Sequence, residues 1–248
     1  MKRLLLLLVF PAFLLAPSSS DAQEEWEFTL APYLWVSGLE GNVKTLSGVP
    51  QAEIELSFTD ILKNLDLAAF AVGGARYGDT FLRGEVSYAR VTADATTPGP
   101  VFSGGSVTST TFTGGLSVGR TILRDSDKTL GVFTGFRYWV IKTDVSLNAG
   151  LANSRSHSET VNFVDPIVGL SGTYAIAPDW TAFGSATIGG FGVSSDLEWG
   201  GSAGVNYQIG DTISLAAGYR YLSIDYDDGD FVYDVDQHGP MIGLTISF

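Results

Sequence analysis

Over long runs of the chain, large apolar residues alternate with small or polar ones. From Leu197 to Ile209 one parity reads Leu197, Trp199, Gly201, Ala203, Val205, Tyr207 and Ile209, and the other Glu198, Gly200, Ser202, Gly204, Asn206 and Gln208. Ile213, Leu215, Ala217, Tyr219 and Tyr221 alternate in the same way with Ser214, Ala216, Gly218 and Arg220. The last segment sets Ile242, Leu244, Ile246 and Phe248 against Met241, Gly243, Thr245 and Ser247. Period two is the signature of a β-strand, whose successive side chains point to opposite faces. A water-soluble sandwich would put Lys and Glu on its outer face. Here the non-apolar face is mostly Gly, Ser, Thr and Asn, which suits a crowded polar lumen behind a lipid-facing apolar surface.

Turn signals divide the pattern into strands. They fall at Gly78–Thr80, Thr96–Gly105, Leu123–Lys128, Asn148–His157, Ala177–Asp179, Ser195–Asp196, Gly210–Asp211 and Asp227–Asp230. Tight turns alternate with longer connections, as at the periplasmic and extracellular ends of an outer-membrane barrel. Trp26–Val43 reads as a first strand made irregular by Pro32. Gln51–Phe58 also alternates, and Thr59–Leu65 has helical spacing with Thr59 or Asp60 as N-cap. Counting Gln51–Phe58 as a span gives an odd strand number, which a single-chain bacterial barrel with both ends in the periplasm does not have. The expectation is therefore an all-β antiparallel transmembrane β-barrel of about ten strands, eight or twelve being the alternatives. Residues 44–65 are expected to form an extracellular insertion, a hairpin arm plus a short helix that caps or plugs the mouth.

Composition agrees with an all-β chain: 30 glycines and 12% aromatics, where Gly inside a helix costs roughly 1 kcal/mol relative to Ala. The N-terminus adds an address. Lys2 and Arg3 precede an apolar run from Leu4 to Ala16, and Ser20 and Ala22 occupy small-residue cleavage positions, so residues 1–22 read as a signal peptide and 23–248 as one barrel domain. Without Lys2, Arg3 and Asp21, 12 basic and 26 acidic residues remain. That balance argues against nucleic acid as a partner. The absence of cysteine excludes a disulfide framework and a lipid anchor on Cys.

The run Ala31-Pro32-Tyr33-Leu34-Trp35 with Gly38 and Gly41, the segment Ser57–Asp66, and Gly218-Tyr219-Arg220-Tyr221 followed by Gly239-Pro240 and a terminal Phe resemble a group of small proteobacterial outer-membrane proteins. These are described as outer-membrane β-barrel or porin-family proteins. The resemblance spans nearly the whole chain beyond the signal peptide. It implies the fold and an outer-membrane location, and carries no agreed substrate and no catalytic residues; the chain itself has no metal-ligand spacing and no nucleotide motif, so no metal and no cofactor is expected. The last strand, with Ile242, Leu244, Ile246 and Phe248, resembles the insertion signal read by the barrel-assembly machinery, which is therefore an expected partner beside outer-membrane lipid and lipopolysaccharide.

Candidate chemistry is sparse. Parity places Arg83, Glu85, Arg137 and Arg220 in the lumen, with Arg76 less firmly assigned. Buried charges must pair, so these residues suggest a strand-tying polar network, the alternative being a constriction selecting small anions or zwitterions. Phe81 and Phe133, also on inward parities, leave little room for an open water column. Tyr33, Trp35, Trp139, Trp199, Tyr219 and other aromatics near strand ends suggest interfacial girdles.

An outer-leaflet lipid hydrolase, acyltransferase or protease would need a rim histidine. Only His157 and His238 are present. The neighbours Ser156 and Ser158 lie on the opposite parity from His157. Asp225–Asp236 is rich in carboxylates but lacks calcium-loop spacing, and Asp228-Gly229 suggests a type I′ turn. The expected function is a non-enzymatic envelope barrel, structural or passing small solutes in a limited way. A soluble barrel would instead require Ile213, Leu215, Ile242, Leu244 and Ile246 to point inward.

Overall fold

In a computed structural model, residues 25–46, 50–95 and 101–248 are described; the expected signal peptide and part of the predicted 96–105 connection lie outside them. The strands are β1 Trp26–Trp35, β2 Gly38–Lys44, β3 Ala52–Leu56, β4 Leu65–Tyr77, β5 Thr80–Ala95, β6 Phe102–Arg124, β7 Lys128–Ala149, β8 Arg155–Ala177, β9 Trp180–Gly189, β10 Leu197–Gln208, β11 Ile213–Asp227 and β12 Val232–Ser247, with one helix, α1, at Phe58–Lys63. The ladder runs β1-β4-β5-β6-β7-β8-β9-β10-β11-β12 and closes through an antiparallel pairing of β1 with β12. Ten strands thus form the wall, and β2 and β3 are additional. Closure removes the unpaired edges that an open sheet would expose to lipid.

The alternation dictates the facing. Leu82, Val86, Leu116, Val118, Phe136, Val168, Leu170, Leu215, Ile242 and Leu244 are large, apolar and exposed. With Leu215 and Ile242 on the outside, the soluble-barrel alternative is excluded. Trp26, Tyr77, Tyr174, Trp180, Tyr207 and Phe248 are exposed near the short turns, and Tyr138, Trp199 and Tyr219 are exposed farther up the wall. Such belts mark the two lipid–water interfaces. Tyr33, Trp35 and Trp139 depart from the girdle expectation. They are 7%, 8% and 1% exposed because their parity turns them inward, Tyr33 lying opposite Phe70 and Gly243 in the ladder.

Wall height is uneven. β7 has 22 residues and β8 has 23. At about 3.4 Å per residue and a tilt of about 40°, such a strand rises about 55 Å, roughly twice the ~25 Å apolar band. By contrast, β9 and β10 have only 10 and 12 residues. β8 pairs with β9 only from Ile167 onward, and the segment 190–196 occupies the notch above. Ser194 Oγ donates to the Val164 carbonyl at 2.8 Å and the Asp196 amide to the Asp225 carbonyl at 2.9 Å. Phe163 of β8 stacks on Tyr226 of β11 across the gap, with ring centroids 4.1 Å apart.

The insertion differs in detail from its sequence reading. Pro32 keeps register with Ala71 of β4, but the ladder to β12 skips Ala31 and Pro32, the irregularity a residue without an amide hydrogen brings; the strand itself breaks at Val36–Ser37. There the Val36 amide bonds the Pro240 carbonyl at 2.9 Å, and β2 continues along the upper part of β12. The N-cap of α1 is Ser57, whose hydroxyl accepts from the Asp60 amide while the Asp60 carboxylate accepts from the Ser57 amide. This capping box satisfies two orphan amides at once, which explains why Thr59 and Asp60 lose the position. No residue of α1 is buried. The helix therefore does not plug the barrel.

Candidate functional site in the lumen

The inward parities of β5, β7, β10 and β11 converge on one charged layer. The Glu85 carboxylate receives Arg220 Nη2 at 2.5 Å, Arg137 Nη2 at 3.5 Å and Arg83 Nη2 at 3.9 Å. Arg137 also pairs directly with Glu198, whose second oxygen accepts from Trp139 Nε1 at 2.9 Å. Arg220 donates to the Tyr33 hydroxyl, and its guanidinium lies 4.8 Å from the centre of the Trp35 ring. Thus the structure brings Arg83, Glu85, Arg137 and Arg220 together. It adds Glu198, which alternation puts on the inner face but which sequence reasoning left out of the network. No local signal links Glu198 to Arg137, 61 residues earlier.

Above this layer the lumen is apolar. Trp35, Trp139, Ile141, Phe163, Leu222, Ile224, Tyr226, Phe231, Tyr233 and Val235 form one buried cluster. Beside it, fully buried Asp165 accepts from the Ser195 amide at 2.9 Å and from the Ser195 hydroxyl. Two carboxylates, Glu198 and Asp165, are thus buried with donors supplied by Arg137, Trp139 and Ser195, as desolvated charge requires.

Below the charged layer, Phe81 and Phe133 pack edge to face at 6.5 Å. A Cβ on Gly119 or Gly131 would stand 2.3 or 2.7 Å from the Phe81 ring, so these glycines make room for it. The lumen then widens toward the short-turn end into a cavity of about 250 Å³. The void among Arg83, Glu85, Phe133 and Arg137 measures only about 10 Å³, about one water probe.

The histidines stand apart from this lumen. His157 is well exposed on β8, with Nε2 3.8 Å from Glu159. His238 shares the outward parity of Ile242 on β12; its Nδ1 is 2.6 Å from the Tyr219 hydroxyl and its Nε2 3.7 Å from Glu40. Among the described residues, no group of three or more His, Asp or Glu is disposed to hold a metal ion. The acidic tip of β11–β12 is a wider turn than the expected type I′, which needs positive φ at both central residues. Gly229 has φ 87° and Asp228 is not positive. The Asp228 carboxylate instead accepts from the amides of Asp230 and Phe231 at 3.2 and 2.8 Å.

A closed antiparallel barrel with an apolar belt, aromatic girdles and a polar lumen is a transmembrane barrel of the outer-membrane class. Solved structures agree on the fold. The outer-membrane protease OmpT from Escherichia coli matches with a TM-score of 0.55 at 9% identity, over 93% of this chain and 99% of that one. The translocator domain of the autotransporter NalP from Neisseria meningitidis matches with a TM-score of 0.53 at 14% identity, over 92% and 90%. No protein-family model and no curated protein matches the chain.

Proposed function

We propose that the protein is a non-enzymatic integral protein of the outer membrane whose barrel is shut, serving envelope structure rather than bulk permeation. One observation carries this reading: the Arg137–Glu198–Trp139 layer is buried beneath a continuous aromatic and aliphatic cluster. An open porin lumen is lined with water, whereas this one is filled by side chains. The exposed apolar belt faces lipid. The carboxylates of Asp225–Asp236 lie toward the outer leaflet, where lipopolysaccharide is the neighbour. The last strand, ending in Phe248, serves as the element engaged by the assembly machinery.

An enzyme reading has less support. OmpT is a protease, but the likeness extends to fold alone. His238 faces outward from the wall against Tyr219 and Glu40, and His157 is exposed beside Glu159. The test is single-channel recording of the refolded barrel in a planar bilayer. The shut lumen predicts a silent baseline; steady channels of nanosiemens size would overturn it. Replacing both histidines by Ala and comparing outer-membrane lipid profiles tests the absence of lipid catalysis, and a lipid species altered only in the variant would contradict it.

A further inference from the structure

The 250 Å³ cavity at the short-turn end of the lumen is not needed to seal the barrel, and its lining is electrostatically one-sided. Among the described residues it presents Arg76, Arg83 and Arg220 and no carboxylate. Arg220 is committed to Glu85 and Tyr33. Arg76 and Arg83 are not similarly engaged. Their nearest acidic partners are Glu27 and Glu85, each at 3.9 Å, and Glu85 is already shared with Arg220 and Arg137. Each guanidinium is at the outer limit of ion-pair distance from its carboxylate, Glu27 lying directly opposite Arg76 in the ladder, and each is partly exposed, at 31% and 26%, so both keep a side open to a solute.

Register explains their convergence. Arg76 lies opposite Phe81, and Arg83 lies opposite Gly74, so the two arginines are diagonal neighbours on one inner face, close enough for long side chains to reach a common group. The guanidinium of Arg76 lies 5.9 Å from the centre of the Phe81 ring and that of Arg83 5.8 Å from the centre of Phe133. These contacts hold the forks without consuming their charge.

The opposite wall has a different chemistry. β9 and β10 stand about half the circumference away from β4 and β5 in the ladder. They contribute Ser185, Ser202 and Asn206. Ser185 and Ser202 bond each other at 2.9 Å, but Asn206 Oδ1 is buried and has no partner. A buried acceptor left unpaired costs about 1–3 kcal/mol. A donor from a bound molecule would satisfy it.

The geometry points to a binding site, entered from the periplasmic end, for a small phosphorylated polyol. Its phosphate lies between Arg76 and Arg83, and its hydroxyl end faces Asn206. Two guanidinium forks and the hydroxyl of Thr121 offer donors from three strands, which surround a tetrahedral phosphate more fully than a planar carboxylate. A cavity of about 250 Å³ has room for a solute the size of glycerol 3-phosphate and too little for a polymer. This site is independent of whether the upper lumen conducts.

Isothermal titration of the refolded barrel in detergent tests it with four probes: glycerol 3-phosphate, inorganic phosphate, acetate and glycerol. Glycerol 3-phosphate is expected to bind saturably and at least tenfold more tightly than acetate, and more tightly than inorganic phosphate by the contribution of its hydroxyls. R76Q and R83Q should each weaken it tenfold or more, and N206L should remove its advantage over inorganic phosphate. All three variants must retain the gel shift on heating that marks a folded barrel. If a variant fails to fold, the cysteine-free chain allows a second measurement, in which N206C should react at least fivefold faster with an anionic than with a cationic thiol reagent. Equal affinity for acetate and glycerol 3-phosphate, unchanged binding in folded R76Q and R83Q, or no charge preference at N206C would overturn the proposal.

Discussion

Removing the carboxylate of Glu198 probes the layer that shuts the lumen. Glu198 is fully buried and Arg137 is 4% exposed, so E198A leaves a desolvated guanidinium whose remaining partner, Glu85 at 3.5 Å, is already engaged by Arg220. Breaking one side of a buried ion pair costs about 3–5 kcal/mol. The Trp139 indole loses its acceptor as well, a penalty of about 1–3 kcal/mol that overlaps the first. A net loss of about 4 kcal/mol, with a urea slope of about 2 kcal/mol per molar, lowers the unfolding midpoint by about 2 M. The double variant R137M/E198L fills the same space with apolar groups and leaves Glu85 with Arg220. It should cost about 1–3 kcal/mol, chiefly for the stranded indole, and so less than E198A alone. Urea unfolding in lipid vesicles, read by tryptophan fluorescence and by the heat-dependent gel shift, measures all the variants. A loss below about 1 kcal/mol for E198A, or a double variant as costly as the two single losses added, would refute the view that this pair is buried and coupled.

Other consequences are equally open to measurement. G131V should destabilise the barrel by about 1–3 kcal/mol through collision with the Phe81 ring, and F81A should recover part of that loss in the double variant. Asp225 lies six residues beyond the girdle residue Tyr219, and burial, followed by the charges of Asp234, Asp196 and Asp227, raises its pKa. A raised folded pKa means that the folded state holds the proton more tightly, so the stabilisation is fully present below the ordinary aspartate value, is lost as pH rises through the folded value, and levels off above it. D225N should flatten this part of the pH profile in unfolding measurements between pH 4 and 7; an unchanged slope would assign the dependence elsewhere. Deleting Phe248 removes reciprocal backbone bonds with Phe28 at 2.8 and 3.0 Å and a stacked ring contact at 6.0 Å. The yield of heat-modifiable barrel in membranes should fall, whereas F248Y should assemble nearly as well as the parent.

Much of this molecule is legible from alternation alone, because parity decides which face each side chain takes before any packing is known. It puts Leu215, Ile242 and Leu244 toward lipid and Arg83, Glu85, Arg137 and Arg220 toward the lumen, and with the turn signals it counts ten walls. Glycine and hydroxyl residues on the inner parity likewise say that the interior is narrow. Parity is blind to height and to opposition across the barrel. Glu85 and Arg220 are 135 residues apart, and Arg137 and Glu198 are 61 apart; their meeting depends on the register of every intervening strand pair. The same holds for Phe163 on Tyr226, which requires that β9 and β10 be short enough to leave a notch. It holds too for Tyr33, Trp35 and Trp139, whose aromatic character suits a girdle as well as a core until register turns them inward. The sequence by itself determined a membrane barrel with charged residues on its inner face, since that follows from one strand at a time. Only the tertiary structure decided that the charged layer lies between a buried aromatic cluster and a cavity, because those properties belong to side chains from many strands meeting at one level.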